Sequence, residues 1–106
     1  MLFIETRAFT RAVAALIPSD DDYRALQAAF ALRPEAGALI KGTGGLRKLR
    51  WADRDRGKRG GLRIIYHWDA ARERIYLLFA YRKSRRDDLD PAQVRLLRKL
   101  MRESLE

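Results

Sequence analysis

Apolar residues recur along this chain at two different periods, and the change from one to the other divides it. Leu2-Phe3-Ile4 is a short, β-prone run that predicts a first strand. Phe9, Val13, Leu16 and Ile17 then recur at helical spacing until Pro18 stops them. Ser19-Asp20-Asp21-Asp22 reads as a helix start, with Ser19 able to cap and Asp22 at the capping-box position. Its three carboxylates face the positive end of that helix. Tyr23, Leu26 and Phe30 form the apolar stripe, Ala25, Ala28, Ala29 and Ala31 favour helix, and Arg33-Pro34 closes it. Residues 34–45 predict a loop ending in Gly42-Thr43-Gly44-Gly45.

Beyond the glycines the period falls to two. Residues 46–51, 62–68 and 74–81 are rich in β-branched and aromatic side chains and bounded by turn formers, which predicts three strands in sequential hairpins. Residues 69–73 are a short connection; residues 53–61 are a longer, highly charged one expected to be mobile. Asp90 caps a last helix, with Pro91 in its first position and Gln93 completing a capping box, and Asp87 and Asp88 precede that start. Val94, Leu97, Leu100, Met101 and Leu105 supply its stripe. The order predicts one α+β domain over residues 1–106: an antiparallel sheet of about four strands, mixed by the N-terminal strand, with two N-terminal helices and a C-terminal helix. With the helices on one face, the other is free to present charge.

Charge sharpens this picture. The net charge is +9, but residues 1–40 hold 4 Lys/Arg against 5 Asp/Glu, residues 41–86 hold 15 against 4, and residues 87–106 hold 4 against 5. All the excess sits in the segment of the three later strands, which implies a polyanionic partner such as nucleic acid. A chain of this size buries roughly 60–70% of its unfolded surface, so an active surface should be a shallow groove. The absence of Cys excludes disulfides, thiolate metal sites and a cysteine nucleophile. Residues 1–6 carry Glu5 and do not resemble a secretion signal, and no apolar run reaches the ~20 residues of a membrane span. A cytoplasmic protein without a membrane partner is expected.

Elimination narrows the chemistry. His67 is the only histidine, next to Trp68 on a predicted strand, so it reads as a sheet residue and a two-histidine ribonuclease cannot be built. A metal nuclease needs converging carboxylates, whereas Asp20 to Asp22 are explained by helix capping. Gly42-Thr43-Gly44-Gly45 lacks phosphate-loop spacing and leads into a strand rather than a helix. What remains is Arg47, Lys48, Arg50, Lys58, Arg59, Arg63, Arg82 and Lys83, with Tyr66 and Tyr81 as stacking platforms. Alternation sets Lys48 and Arg50 on one face of their strand and Arg47 on the other. Arginine clamps phosphate, and a lysine crowded by cations can exchange a proton near neutrality. Metal-free RNA cleavage needs a base for the ribose 2′-OH, cations at the phosphate and an acid for the leaving 5′-oxygen.

Three segments in order, residues 42–50, 57–66 and 75–83, together resemble the RelE/ParE toxin superfamily, and more closely the HigB branch of ribosome-dependent mRNA interferases. The resemblance implies a toxin of a type II toxin–antitoxin pair that cuts mRNA in the ribosomal A site without metal or cofactor. It also implies a cognate antitoxin, of the HigA-like helix-turn-helix kind, as partner. Carried onto this chain, it makes Lys48 the proton-transfer group and Arg63 the main phosphate clamp. Lys83 would serve the leaving group or phosphate, Arg50 the neighbouring backbone and Tyr81 a base, while Lys58 and Arg59 grip ribosomal RNA. The chain departs from that branch at Arg82 and Ser84, where a small residue and Asn are common, and it has no Tyr after Tyr81. Two other readings share these features: a ParE-like inhibitor that binds DNA gyrase, and a non-catalytic nucleic-acid binder.

Overall fold

Local chemistry sets where each helix begins. In the computed structural model, which describes residues 1–83 and 89–105, α1 (Arg7–Leu16) starts at Thr6, whose Oγ1 accepts the Phe9 amide at 3.0 Å. The start of α2 (Asp20–Leu32) is Ser19, whose Oγ accepts the Asp22 amide at 3.3 Å. A reciprocal box opens α3 (Pro91–Leu105): the Gln93 amide donates to Asp90 Oδ1 at 2.8 Å and the Asp90 amide to Gln93 Oε1 at 3.0 Å. Such caps satisfy donors that the first helical turn leaves without partners, each worth about 1 kcal/mol. Pro18 and Pro34 lie just past α1 and α2, where a missing amide cannot extend the helix.

Five strands form one mixed sheet: β1 (Leu2–Glu5), β2 (Ala38–Leu39), β3 (Leu46–Asp53), β4 (Lys58–Asp69) and β5 (Arg74–Arg82). Their order is β1-β5-β4-β3-β2, with β1 parallel to β5 and the other pairs antiparallel. The α+β class and the mixed first strand agree with expectation; the count of about four strands does not. The fifth strand, β2, lies in the stretch read as loop. Its two residues pair with Lys48 and Arg47, a run too short to carry any periodicity. Residues 53–61 are likewise no long loose connection. Between β3 and β4 stand only the 3₁₀ turn Arg54–Arg56 and Gly57, which closes the hairpin at φ +60°, where a side chain would be strained. Arg54 Nε ties that turn to the buried Asp22 of α2 at 2.8 Å, so Asp22 serves a tertiary ion pair besides its helix end.

Helices cover both faces of the sheet, not one. Phe9, Val13 and Ile17 of the first helical segment and Leu26 and Phe30 of α2 pack on Leu62, Ile64, Tyr66, Ile75, Leu77 and Ala80. Leu97, Leu100 and Met101 of α3 pack with Leu89 on the other face, over Leu46, Ile65, Tyr76 and Leu78. The reason is visible in β5, where Ile75, Leu77 and Ala80 on one side and Tyr76 and Leu78 on the other are all buried, so each face needs cover. Asp87 and Asp88, read as preceding the last helix, lie outside the described residues.

An irregularity in β5 sorts its second half between these faces. Ile65 pairs with Phe79 but Tyr66 pairs with Leu77, which leaves Leu78 as an extra residue, a β-bulge. Alternation therefore resets: Ile75, Leu77 and Ala80 face α1 and α2, while Tyr76, Leu78 and Tyr81 face α3. Thr6 supplies a bond the bulge needs. Its Oγ1 donates to the Leu78 carbonyl at 2.6 Å, and its amide donates to the Leu77 carbonyl at 3.0 Å. The same hydroxyl thus caps α1 and satisfies the bulge. Thr6→Val keeps the shape and removes both bonds; the expected loss is about 1–3 kcal/mol, read as a lowered urea midpoint with an unchanged slope.

Candidate nucleic-acid interface

The cations of β3 and β4 meet the aromatic rings of β5 in rows that run across the sheet. Arg50 pairs with Arg63, and Arg63 with Tyr81; one step along, Lys48 pairs with Ile65, and Ile65 with Phe79. Directly opposed residues of antiparallel strands lie about 4.5–5.5 Å apart, so each row is a contiguous strip. The next row, Leu46, His67 and Tyr76, lies toward the α3 cluster. The helix covers this face as far as Ile65, the buried middle of the Lys48 row, and the charged side chains lie around that cover. Past β5, the Lys83 amide donates to the Gly61 carbonyl at 2.8 Å, which carries the strip on to the exposed Lys83.

Exposure divides the labour among the cations. Arg50 and Lys83 are exposed, and Lys48 is half-buried. Lys48 and Lys41 line an open hollow of about 300 Å³ with Ala38, Leu39, Ile40, Leu89 and Val94, between β2 and the start of α3. Arg63 is only 1% exposed. Its Nη1 donates to the Leu62 carbonyl at 3.1 Å and to the Gly60 carbonyl. A buried guanidinium must be held by such acceptors, and here they come from its own hairpin. Arg63 therefore sits beneath the surface of the strip, where it reinforces positive potential and holds the hairpin end. The sequence reading as a surface clamp did not anticipate this burial.

Three of the expected contacts belong to the other face. Tyr66 is wholly buried: its hydroxyl donates to the Pro34 carbonyl at 2.8 Å and accepts the Gly37 amide at 2.9 Å, and its ring meets Phe30 edge-on at 4.6 Å. It cannot stack on a nucleobase, which corrects its assignment to RNA binding. Arg47, its cross-strand partner, donates from Nη1 to the carbonyls of Gly37 at 2.8 Å and Glu35 at 3.2 Å. Together they clasp residues 34–37. A Cβ on Gly37 would lie 2.7 Å from Tyr66 Cε1, so this clasp needs glycine. Arg82 is turned by the bulge to the α1/α2 side, where its Nε pairs with Oδ2 of the buried Asp53 at 2.9 Å. Arg59 is exposed at the β3–β4 hairpin end, next to the Gly60 whose carbonyl accepts from Arg63. The side chain of Lys58 and all of Ser84 fall outside the described residues.

Two residues enter the site that periodicity did not find. Lys41 stands in a glycine-flanked turn and joins Lys48 only through tertiary packing. Phe79 is 37% exposed and stacks on Tyr81 at 6.2 Å between centroids, 24° between planes. The bulge delivers both rings to the cationic face, and strict alternation from Ile75 cannot foretell that switch. His67 stays an ordinary sheet residue, with Nδ1 3.3 Å from the Gly45 carbonyl and its ring near Tyr76. Among the described residues no group of three or more His, Cys, Asp and Glu is placed to hold a metal, and no helix is long and apolar enough to cross a membrane.

Tyrosine protonation adds a pH signature. Burial pushes the Tyr66 hydroxyl above its ordinary value, partly opposed by the Gly37 amide and the Arg47 charge. Burial raises Tyr23 as well, helped by the Glu5 carboxylate that accepts its hydrogen bond at 2.5 Å. The folded chain then keeps protons that the unfolded chain releases from about pH 10 upward. The associated stability is complete below pH 10 and is lost as pH climbs through the folded values. Urea midpoints measured from pH 8 to 11 should fall above pH 10, and Tyr23→Phe with Tyr66→Phe should flatten that fall.

The two faces also differ in what their arginines and lysines hold. Arg82→Ala leaves the buried Asp53 carboxylate without its guanidinium and is expected to cost about 1.5–3 kcal/mol. Lys83→Ala should stay within about 0.5 kcal/mol of wild type in the same urea titration. A cost for Lys83 equal to that of Arg82 would contradict this division. No protein-family model matches the chain.

Proposed function

We propose that this chain is an RNA-cleaving toxin of the kind its sequence resembles, a HigB-like mRNA interferase acting without a metal. The observation that carries this reading is the shared sheet face beside α3: Lys48 and Arg50 on β3 lie across the buried Ile65 and Arg63 from the stacked Phe79 and Tyr81, and Lys83 follows Tyr81 along the same edge. Phosphate recognition needs cations spaced along a groove, and an unstacked base needs a ring. In this reading Lys48 moves the proton of the ribose 2′-OH, since its half-buried position at the rim of the hollow keeps it beside the substrate path. Arg50 and Lys83 neutralise the crowded phosphate as the 2′-oxygen bonds to phosphorus. As the bond from phosphorus to the 5′-oxygen breaks, that oxygen takes a proton from the Lys83 ammonium, leaving a 2′,3′-cyclic phosphate. Arg63, from beneath, strengthens the field at that phosphate without touching solvent. The cognate antitoxin and the ribosome are the partners this reading requires.

Burial of Arg63 favours one competing reading, a binder that does not cut, because it removes a phosphate clamp from the surface. The two separate by mapping mRNA 5′ ends after a short induced pulse. Wild type should create cuts confined to translated frames, and Lys48→Ala should reduce them by roughly 10²- to 10⁴-fold while thermal unfolding stays cooperative. Arrested growth with unchanged mRNA ends would defeat the nuclease reading and direct attention to a protein target such as gyrase.

A further inference from the structure

Lys83 follows the last regular pair of β5, and its amide donates to the Gly61 carbonyl at 2.8 Å. That partner belongs to a Gly60-Gly61 pair in which Gly60 adopts φ +58°. Glycine restrains the backbone least, so this is a soft support for a side chain given to proton transfer. A second restraint lies one residue back. Arg82 Nε donates to Asp53 Oδ2 at 2.9 Å, and the row Trp51, Leu62, Arg82 sets β4 between the two partners. Asp53 is 1% exposed and stands where the β3 register breaks. A buried ion pair is a poor device for stability, because two apolar side chains of similar volume often serve as well. What it supplies is fixed geometry. This pair clips β3 to β5 over β4 and keeps Arg82 on the α1/α2 side of the sheet. Successive side chains alternate, so the residue after Arg82 is turned toward the side of α3, where Lys48 and Arg50 lie.

We infer that Asp53 and Arg82 are positioning residues for Lys83: their buried pair fixes the end of β5, and with it the place of the Lys83 ammonium beside the reacting phosphate. The inference rests on the reading above for what Lys83 does. It adds two residues on the opposite side of the sheet that touch no substrate and carry no proton. They reach the reaction only through the backbone they hold. Loss of the pair therefore misplaces the lysine without removing it, and geometry of that kind governs a chemical step more than the binding that precedes it.

Two measurements on the purified chain test this with the paired variant Asp53→Leu/Arg82→Met, which removes both charges and leaves neither partner buried alone. The first is amide hydrogen exchange. The Lys83 amide should exchange at least about 10-fold faster in the variant, while amides at the centre of the sheet keep their protection. The second is single-turnover cleavage of ribosome-bound mRNA. At saturating protein the variant should be slowed by roughly 10- to 100-fold, with the half-saturating concentration unchanged. Lys83→Ala should lose roughly 10²- to 10⁴-fold, and the triple variant should cut no more slowly than Lys83→Ala alone, because the clip acts only through that lysine. Losses that multiply, a paired variant as fast as wild type, or a Lys83 amide whose exchange does not move would each overturn the inference. Should wild type make no cuts, the nuclease reading fails by itself, and exchange at Lys83 alone decides whether the clip positions it. Asp53→Asn/Arg82→Gln, closer in shape to the native pair, repeats both measurements if the apolar pair does not fold.

Discussion

One hydroxyl at the start of α1 holds the architecture in register. Thr6 caps the helix and, from the same oxygen, donates to the carbonyl that the extra residue Leu78 contributes to β5. A bulge leaves a backbone group outside the ladder, and a buried carbonyl without a donor costs about 1–3 kcal/mol. Thr6 removes that cost where β1 hands over to α1. Everything beyond Leu78 inherits the shifted parity. Ala80 faces the α1/α2 core and Arg82 reaches Asp53 on that side, while Phe79 and Tyr81 emerge beside the cations. Were Leu78 paired as a regular ladder residue, these two sets would exchange faces, since a one-residue slip inverts a strand.

The site is therefore a by-product of how two cores share one sheet. Both sides of β5 carry buried apolar residues, so α1 and α2 take one side and α3 the other. α3 covers only part of its side, and charge collects on the remainder. Burying Arg63 there is expensive, and the hairpin carbonyls of Gly60 and Leu62 offset the expense. In exchange a positive charge is fixed below the surface, where water screens it less than an exposed one.

What could be read from the residues alone was whatever is decided locally. The Asp90–Gln93 box, the Ser19 cap and the proline stops depend on neighbours within a few positions, and they stand where the sequence puts them. The shared face of Lys48 and Arg50 follows from period two and holds as well. Features set by distant partners were hidden. Tyr66 and Arg47 look like members of a basic aromatic strand until the loop at Pro34 to Gly37 closes on them. β2 exists only because Arg47 and Lys48 lie alongside it, and the exposure of Phe79 only because of the bulge. Arg54 belongs to a short turn because Asp22 waits for it on α2.

The brevity of β2 has a consequence for how the chain behaves in solution. It covers β3 at Arg47 and Lys48 alone, so among the described strands β3 from Leu49 to Asp53 is an open margin of the sheet. Open margins recruit other chains unless something forbids it. Here the deterrents are the exposed charge of Arg50 and the broken register between Trp51 and Asp53. The side chain that would meet a phosphate is thus also a guard against self-association. Neutralising it strips colloidal protection from the sheet, so a ligand-binding surface and resistance to aggregation are here one set of atoms.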